Sequence, residues 1–395
     1  MVEGTALLVG DLDVAYPLRA AGIDVTVLRG RSDPSRFSRA GVRWVERRGD
    51  EDLVTALQVV ARRSRPPVVL YVQQDHDLLE VSARRGELAP DAAIRLPSHR
   101  MVCDLLDKAR FQSLAEQHGL PIPPAMAVST RPGSPLPTGL EPPVILKPLT
   151  WPSGRGHGGF AGGKAVVATD LGEVGRSLEA MTPYLDEVFV QQLVPGPESA
   201  IESYHVYVGE DGRILGEFTG RKLRTTPREF GYTTAAVTTD HADVRDLGRR
   251  VVDVLGLRGV AKIDLKRDPR GVLWLLEINA RNNLWHRLGA IAGCNLPAIA
   301  FEDVAGHACG PPPTARAGVT WSRQPRDLLV ARAHGVGAGE YLRWLYDCDA
   351  VSGLRLTDPM PSLGSWVARG GDARRRAAGD DRTTDASGSS VGGGG

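Results

Sequence analysis

No apolar run in the 395-residue chain reaches 18 residues, which excludes a membrane-spanning helix. Cysteine is scarce: Cys103, Cys294, Cys309 and Cys348 lie far apart, without a Cys-x-x-Cys pair. That argues against both a structural zinc site and a disulfide scaffold, and fits reduced thiols in a cytoplasm. Charge imbalance is nearly absent, with 48 Lys plus Arg against 47 Asp plus Glu and a net charge of +1. The cationic surface on which nucleic-acid binding depends is therefore not expected. No basic stretch opens the chain, and Glu3 precedes only a short apolar run, so the start reads as a first strand and not as a secretory signal. No Gly-x-Gly-x-x-Gly follows that strand, only Gly10 with Asp11 and Asp13, which argues against a dinucleotide site there. Lysine is rare too: only Lys108, Lys147, Lys164, Lys222, Lys262 and Lys266 stand among the 48 basic residues. A GC-rich coding bias explains the excess of arginine, and the lysines that remain are candidates for sites needing a compact ammonium.

What is present is ordinary globular material, 42% hydrophobic and 24% charged, enough for two or three packed units. Apolar runs at 5–9, 23–28 and 68–72 alternate with helical segments at 12–21 and 51–63, the pattern of a parallel βαβ sheet. The polar and apolar spacing predicts one helix over 95–117, ended by Gly119-Leu120-Pro121-Ile122-Pro123-Pro124. Beyond it the pattern changes to strand pairs. Strands at 144–147 and 164–168 flank a glycine-rich loop, 187–191 is another strand, and 201–208 pairs with 213–219 across Asp211-Gly212. A further hairpin joins 259–266 to 272–278 across Asp268-Pro269-Arg270-Gly271. The fold class is thus α/β followed by α+β. Residues 318–358 hold enough apolar side chains, among them Trp321, Leu328, Leu342, Trp344 and Leu345, to pack onto the body. Residues 369–395 lack periodic apolar positions and are expected to be a disordered tail.

The strongest chemical signal is Lys262-Ile263-Asp264 on one strand and Glu277-Ile278-Asn279 on the next. Side chains alternate along a strand, so the hairpin brings one carboxylate from each strand, plus an amide, to one spot. Two acids and an amide are hard oxygen donors suited to Mg²⁺ completed by phosphate oxygens. Solvated hairpin charges are the competing reading; against it, Glu277 follows the apolar run Leu273-Trp274-Leu275-Leu276, where an ionised group is costly unless paired.

A second signal is the loop 153–163, with six glycines in eleven residues, of which Gly154, Gly156 and Gly158 are candidates to bring backbone N–H groups to a phosphate. Lys147, in an otherwise apolar strand before that loop, needs an anion. Gly220-Arg221-Lys222-Leu223-Arg224 places three cations in four positions. Trp285 and His286 stand just past the acidic hairpin, where an amine pocket and plain core packing are equally good readings. Trp151 and His157, on the loop, are unassigned, and the other histidines show no metal-ligand spacing and read as surface or satisfied core residues.

In order along residues 5–310, these parts resemble the ATP-grasp superfamily, in particular its carboxylate-amine ligases and, more distantly, D-alanyl-D-alanine ligase and biotin carboxylase. The resemblance rests on Asp107-Lys108-Ala109-Arg110-Phe111, Val144-Ile145-Leu146-Lys147-Pro148, the glycine-rich loop, Gln191-Gln192-Leu193-Val194-Pro195-Gly196-Pro197-Glu198, Lys262-Ile263-Asp264 and Glu277-Ile278-Asn279-Ala280-Arg281. It implies a Rossmann-like pre-ATP-grasp domain at 1–95, grasp subdomains at 96–195 and 196–310, a packing segment at 311–368 and the tail. It also implies that Lys108 and Lys147 contact the nucleotide, that Gln191, Gln192, Leu193 and Val194 form the adenine hinge, and that Glu198 meets the ribose hydroxyls. Asp264, Glu277 and Asn279 match the magnesium ligands, two ions with Mn²⁺ as a substitute, and Arg281, Lys262 and Arg221 match substrate and acyl-phosphate contacts. Gln191-Gln192 stands where many relatives carry an acid and a base, and Ala280 where close relatives usually have proline.

The function so implied is ATP-dependent joining of a small-molecule carboxylate to an amine through an acyl phosphate, in the cytoplasm, with no nucleic-acid or membrane partner. A phosphotransferase that stops at the phosphorylated product is the alternative, and a nucleotide-binding module without catalysis a third. Dimers are common among such enzymes, and the sequence leaves the oligomeric state open.

Overall fold

The computed structural model describes residues 2–30, 33–38, 40–149, 165–228, 231–307 and 309–353. The N-terminal part is a parallel sheet of β1 (Thr5–Val9), β2 (Asp24–Arg29), β3 (Arg43–Glu46) and β4 (Val68–Val72), in the order β3-β2-β1-β4. Every residue of β1 and β4 is buried because both faces are covered. Leu7, Val9, Leu70 and Val72 face Leu53, Val54 and Leu57 of α2 (Leu53–Arg62), while Ala6, Leu8, Val69 and Tyr71 join the core on the other side with α1 (Leu12–Ala20). The short β3, partly exposed, carries no alternation, which is why the sequence pattern does not reveal it. Strand order reverses at β1, so the carboxyl ends of β1 and β4 form the switch point where α/β sheets take ligands. From β4 the chain enters α3 (Asp75–Ala83) and the single turn α4 (Arg85–Leu88).

The helix expected over 95–117 is two helices, α5 (His99–Leu106) and α6 (Lys108–Gln117). Asp107 leaves the helical region and its carboxylate accepts from the N–H groups of Ala109 and Arg110, both at 2.9 Å, capping α6. That cap sets Lys108 at a helix start. A second sheet follows, built from β5 (Ala125–Ser129), β6 (Val144–Pro148), β7 (Val166–Ala168) and β8 (Glu187–Gln192), antiparallel in the order β5-β8-β6-β7. The helix α7 (Leu171–Met181) covers it with Val174, Leu178 and Met181.

The third sheet has seven strands, in the order β13-β12-β9-β10-β11-β14-β15: β9 (Ile201–Val208), β10 (Ile214–Thr226), β11 (Tyr232–Thr239), β12 (Gly259–Arg267), β13 (Leu273–Asn279), β14 (Thr320–Arg323) and β15 (Ala350–Ser352). One face packs Tyr204, Val206, Ile263 and Leu265 against Val244, Val251 and Leu255 of α8 (Ala242–Leu255). The opposite face is partly covered by α9 (His286–Ala292), α10 (Leu296–Val304) and the N-terminal sheet, joined in one core through Tyr207, Phe218, Trp285, Leu288 and Phe301. Tyr71 donates to the Pro297 carbonyl at 2.9 Å and the Asn282 N–H to the Val72 carbonyl at 3.0 Å, so the two sheets are tied at the end of β4. The C-terminal part, expected only to pack, instead supplies β14 and β15 to this sheet, with α11 (Arg326–Ala333) and α12 (Ala338–Tyr346) between them. Among the described residues no helix is long and apolar enough to cross a membrane.

Candidate functional site

The hairpin of β12 and β13 pairs as its spacing predicts: Lys262 stands opposite Asn279 and Asp264 opposite Glu277. On the other side of β12, Ser203 is opposite Asp264 and His205 opposite Lys262. Opposed residues share a face, so these six side chains belong to one surface. Asp264 is the buried member. One carboxylate oxygen accepts from the Ser203 hydroxyl; the other accepts from Lys262 Nζ at 2.7 Å and Lys222 Nζ at 3.2 Å. Burial alone would raise this carboxyl, but Lys222 and Lys262 outweigh it and hold it well below the usual carboxylate range. Glu277 does not share that burial. It is exposed, on the edge strand β13, and accepts from Asn279 Nδ2 at 3.1 Å. The expectation that it sits in an apolar interior is therefore corrected.

Five of the six lysines gather around these two acids. Lys222, Lys262 and Lys266 are buried, Lys108 and Lys147 half-buried, and Glu277 acts electrostatically on four of them. Lys147, on β6, donates to Gln191 Oε1 at 3.0 Å across to β8, and Lys108 donates to the Leu149 carbonyl at 3.2 Å. Burial pushes Lys147 down to about 8, helped by the repulsion of Lys108 and Lys266 and opposed by Glu277. Burial likewise lowers Lys108. Asp107 and Asp75 also act on Lys108, and Glu198 on Lys222, so the lysines lie among several carboxylates.

The residues expected to form the adenine hinge divide by what they hold. Gln191 is buried and holds Lys147, whereas the Gln192 amide is spent on the backbone of 141–143, accepting from the Glu141 N–H and donating to the Glu141 and Pro143 carbonyls. The Leu193 N–H donates to the Pro143 carbonyl at 3.1 Å and Val194 is buried. Glu198, at a turn before β9, is also buried and accepts from the Thr225 hydroxyl on β10. Arg281 is not an open cation: its guanidinium is ion-paired with Asp75 at the start of α3 and donates to Asn279 Oδ1 at 3.0 Å. Asp75, at the sheet's switch point, went unnoticed in the sequence; its place right after a buried strand was the available signal.

Arg221 does not join the group. It is opposite Glu202 on β9, on the face carrying Leu265 and Arg267, so its neighbour Lys222 is the residue that reaches Asp264. Strand alternation forces the choice, since residues 221 and 222 point to opposite faces. Trp285 and His286 are core residues, both buried, and burial pushes His286 down to about 3. His205 is neither surface nor satisfied: it is stacked on Phe218 at 4.4 Å and Trp285 at 5.0 Å, and neither ring nitrogen has a hydrogen-bond partner among the described residues. Burial holds it well below the ordinary imidazole value. Lys222, from the cationic run of 221–224, takes the place expected of Arg221, and Lys266, Ser203 and Thr225 complete the site beyond what the motifs named; polar positions in an otherwise apolar strand were the signal for Ser203. Gly154, Gly156 and Gly158, with Trp151 and His157, lie outside the described residues.

The donor set fits a hard divalent cation. Asp264 and Glu277 are directly opposed with the Asn279 amide alongside, and among the described residues no cluster of three His, Cys, Asp or Glu side chains exists, so other oxygens would have to complete the sphere.

No family profile matches the chain. Over 216 residues it is 28% identical to a D-aspartate ligase of Enterococcus faecium, covering 50% of this chain and 49% of that enzyme, so the chain spans about half the length of this relative. Over 285 residues it is 24% identical to the D-alanine–D-alanine ligase B of Pseudomonas putida, covering 68% of this chain and 83% of that one. Among solved structures it is similar to N5-carboxyaminoimidazole synthetase from Staphylococcus aureus complexed with ADP, with a TM-score of 0.60 and 15% identity over 80% of this chain and 81% of the other.

Proposed function

From the ATP-grasp fold that this chain carries, we propose that it is an ATP-dependent ligase joining the carboxylate of one amino-acid-like substrate to the amine of another. The observation that carries this reading is the gathering of Lys108, Lys147, Lys222, Lys262 and Lys266 around a carboxylate pair in one cleft. A gathering of ammonium groups of this kind suits a polyanion, and a nucleoside triphosphate supplies one.

In this reading Gln191 to Val194 meet adenine, Glu198 the ribose, and the lysines the phosphates. Asp264, Glu277 and Asn279 would hold Mg²⁺, which when bound screens the phosphate oxygens and polarises the γ-phosphoryl group. Lys222 and Lys262 now neutralise Asp264; phosphate oxygens arriving with the nucleotide give these ammonium groups a second partner and free carboxylate lone pairs. The substrate carboxylate attacks the γ-phosphorus and ADP leaves. The amine then attacks the acyl carbon of the acyl phosphate, phosphate departs, and one proton is lost to give the amide. Arg281, braced by Asp75, stands where the parallel sheet's switch point meets the acidic hairpin, a fitting place for a substrate carboxylate. Relatives that by name act on D-aspartate and D-alanine support amino acids as the substrate class. A cytoplasmic setting, with ATP at hand and thiols reduced, suits the reading.

The test is phosphate release from ATP and Mg²⁺ over single and paired D- and L-amino acids, with mass spectrometry of each positive. Release that needs two substrates, with a product one water lighter than their sum, is expected. A single substrate gaining the mass of a phosphate would make the protein a phosphotransferase, and ATP binding without turnover a binding module.

A further inference from the structure

Outside the cleft, three side chains on α3 and α5 form a line that runs from a buried hydroxyl to a thiol. The two helices pack against each other. Ser82 of α3 is buried, His99 opens α5 and is exposed, and Cys103, one turn further along α5, is half-buried. Residues four apart on a helix are neighbours on its surface, which brings the imidazole and the thiol together. The Ser82 hydroxyl oxygen lies 2.9 Å from His99 Nδ1, and the Cys103 sulfur is hydrogen-bonded to His99 Nε2 at 3.5 Å.

Counting donors places the protons along this line. A serine hydroxyl has one proton, and that of Ser82 goes to the Leu79 carbonyl of its own helix at 3.0 Å. Towards His99 the hydroxyl can therefore only accept, so the proton of the neutral imidazole is on Nδ1. Nε2 is left as a bare acceptor turned to the Cys103 thiol, a base oriented by a third group and in reach of a nucleophile. The other three thiols have no such partner. Cys294 is buried and pushed up to about 12 by that burial. Cys348 donates to the Ala350 carbonyl at 3.3 Å and is raised by burial, and Cys309 is raised by burial and by Asp303 and Glu302.

We propose that Cys103 is a covalent modification site, with His99 as its base, and that the class of molecule it takes is the small soluble disulfide. The thiol proton passes to His99 Nε2 and the Cys103 thiolate attacks one sulfur of the disulfide. A new S–S bond forms to Cys103, the disulfide's own S–S bond breaks, and the departing thiolate takes the proton from His99. The Cys103 sulfur is thereby oxidised to a mixed disulfide and the departing half reduced to a thiol, with no other reactant consumed. Such an exchange needs a proton acceptor and an open approach to sulfur but no enclosing pocket, and an exposed imidazole beside a half-buried thiol at the start of α5 offers both. Ser82 holds the ring in the tautomer that leaves Nε2 free for the sulfur's proton.

The experiment incubates the full chain with excess oxidised glutathione at neutral pH and follows the adducts by intact mass and peptide mapping, for wild type, Cys103→Ser and His99→Gln. The first glutathionyl group is expected on Cys103, about tenfold or more ahead of Cys309 and Cys348, whose raised thiols supply less thiolate. Cys103→Ser should lose this fast adduct. His99→Gln, at an exposed position that the fold does not depend on, should slow it about tenfold, since an unassisted thiol is only a few per cent thiolate at neutral pH. Nitrogen-15 spectra of the imidazoles give a second reading, in which the neutral His99 ring carries its proton on Nδ1. A first adduct on another cysteine, an unchanged rate in His99→Gln, or a His99 proton on Nε2 would each overturn the proposal.

Discussion

The N-terminal parallel sheet and the seven-stranded sheet carry their polar residues in opposite ways. In the parallel sheet β1 and β4 carry no charge and, apart from Thr5 and the Tyr71 hydroxyl, are apolar, and the charges wait at the carboxyl rim: Asp11, Asp13 and Asp75. Two of these reach out as straps, Asp75 to Arg281 and Asp11 to Arg323 at 3.0 Å, while burial and the neighbouring Asp11 raise Asp13 to about 6. The seven-stranded sheet instead places Ser203, His205, Lys222, Lys262 and Asp264 in mid-strand, buried. The first arrangement spends its side chains on packing and lends an edge; the second gives up apolar contacts to hold fixed charges where solvent cannot reorganise around them. Loss of a side chain should therefore show as stability alone in one sheet, and as chemistry, with or without stability, in the other.

The largest effect is expected at Asp264. Asp264→Asn leaves two buried ammonium groups facing a neutral amide, so turnover should vanish and stability should fall by about 3–5 kcal/mol, the usual cost of breaking a buried pair. Denaturant melts together with phosphate release check both, and a fully active variant would dissolve the contrast between the sheets. Glu277→Gln sharpens it. Because Glu277 is exposed, turnover should drop by about 10²–10³-fold while stability stays within about 0.5 kcal/mol. In the parallel sheet, Leu8→Ala should cost about 2–5 kcal/mol and leave the rate per folded molecule unchanged.

Smaller is the pH effect at Lys147. Its ammonium is pushed down to about 8, below the unfolded value, so the burden of keeping it charged is full below pH 8 and is relieved as pH rises towards the unfolded value of about 10.4. Fold stability should gain from this residue over that window. Nucleotide affinity should move the other way, falling above pH 8 as the charge is lost, and Lys147→Arg should flatten the fall. Smallest is Arg221→Ala, on the far face, where a change in turnover beyond about twofold or in stability beyond about 0.5 kcal/mol would contradict the register.

How much of this was legible follows from which interactions are local. The pairing of Asp264 with Glu277 was readable because a four-residue turn, 268–271, fixes the hairpin and alternation does the rest. Glu277's exposure was not, since being on an edge strand is decided by what fails to pair beyond it. The choice of Lys222 over Arg221 depends on the phase of β10 against β9, with a register irregularity between residues 214 and 216 that no pattern announces. The break at Asp107 shows helix periodicity concealing a cap, because the cap residue is itself polar and falls on the exposed stripe. The parallel union of Trp321 with Ala350 closes across a distance in sequence that no local rule spans.

The gathering of lysines has a practical corollary. None of Lys108, Lys147, Lys222, Lys262 and Lys266 is exposed, so an amine-directed acylating reagent finds few reactive groups on the outer shell described here, which is furnished with arginine. Lys147, brought down towards its neutral form, is one amine there that such a reagent should modify. Ordinary surface labelling becomes on this protein a footprint of its cleft, and peptide mapping with and without nucleotide can read occupancy residue by residue.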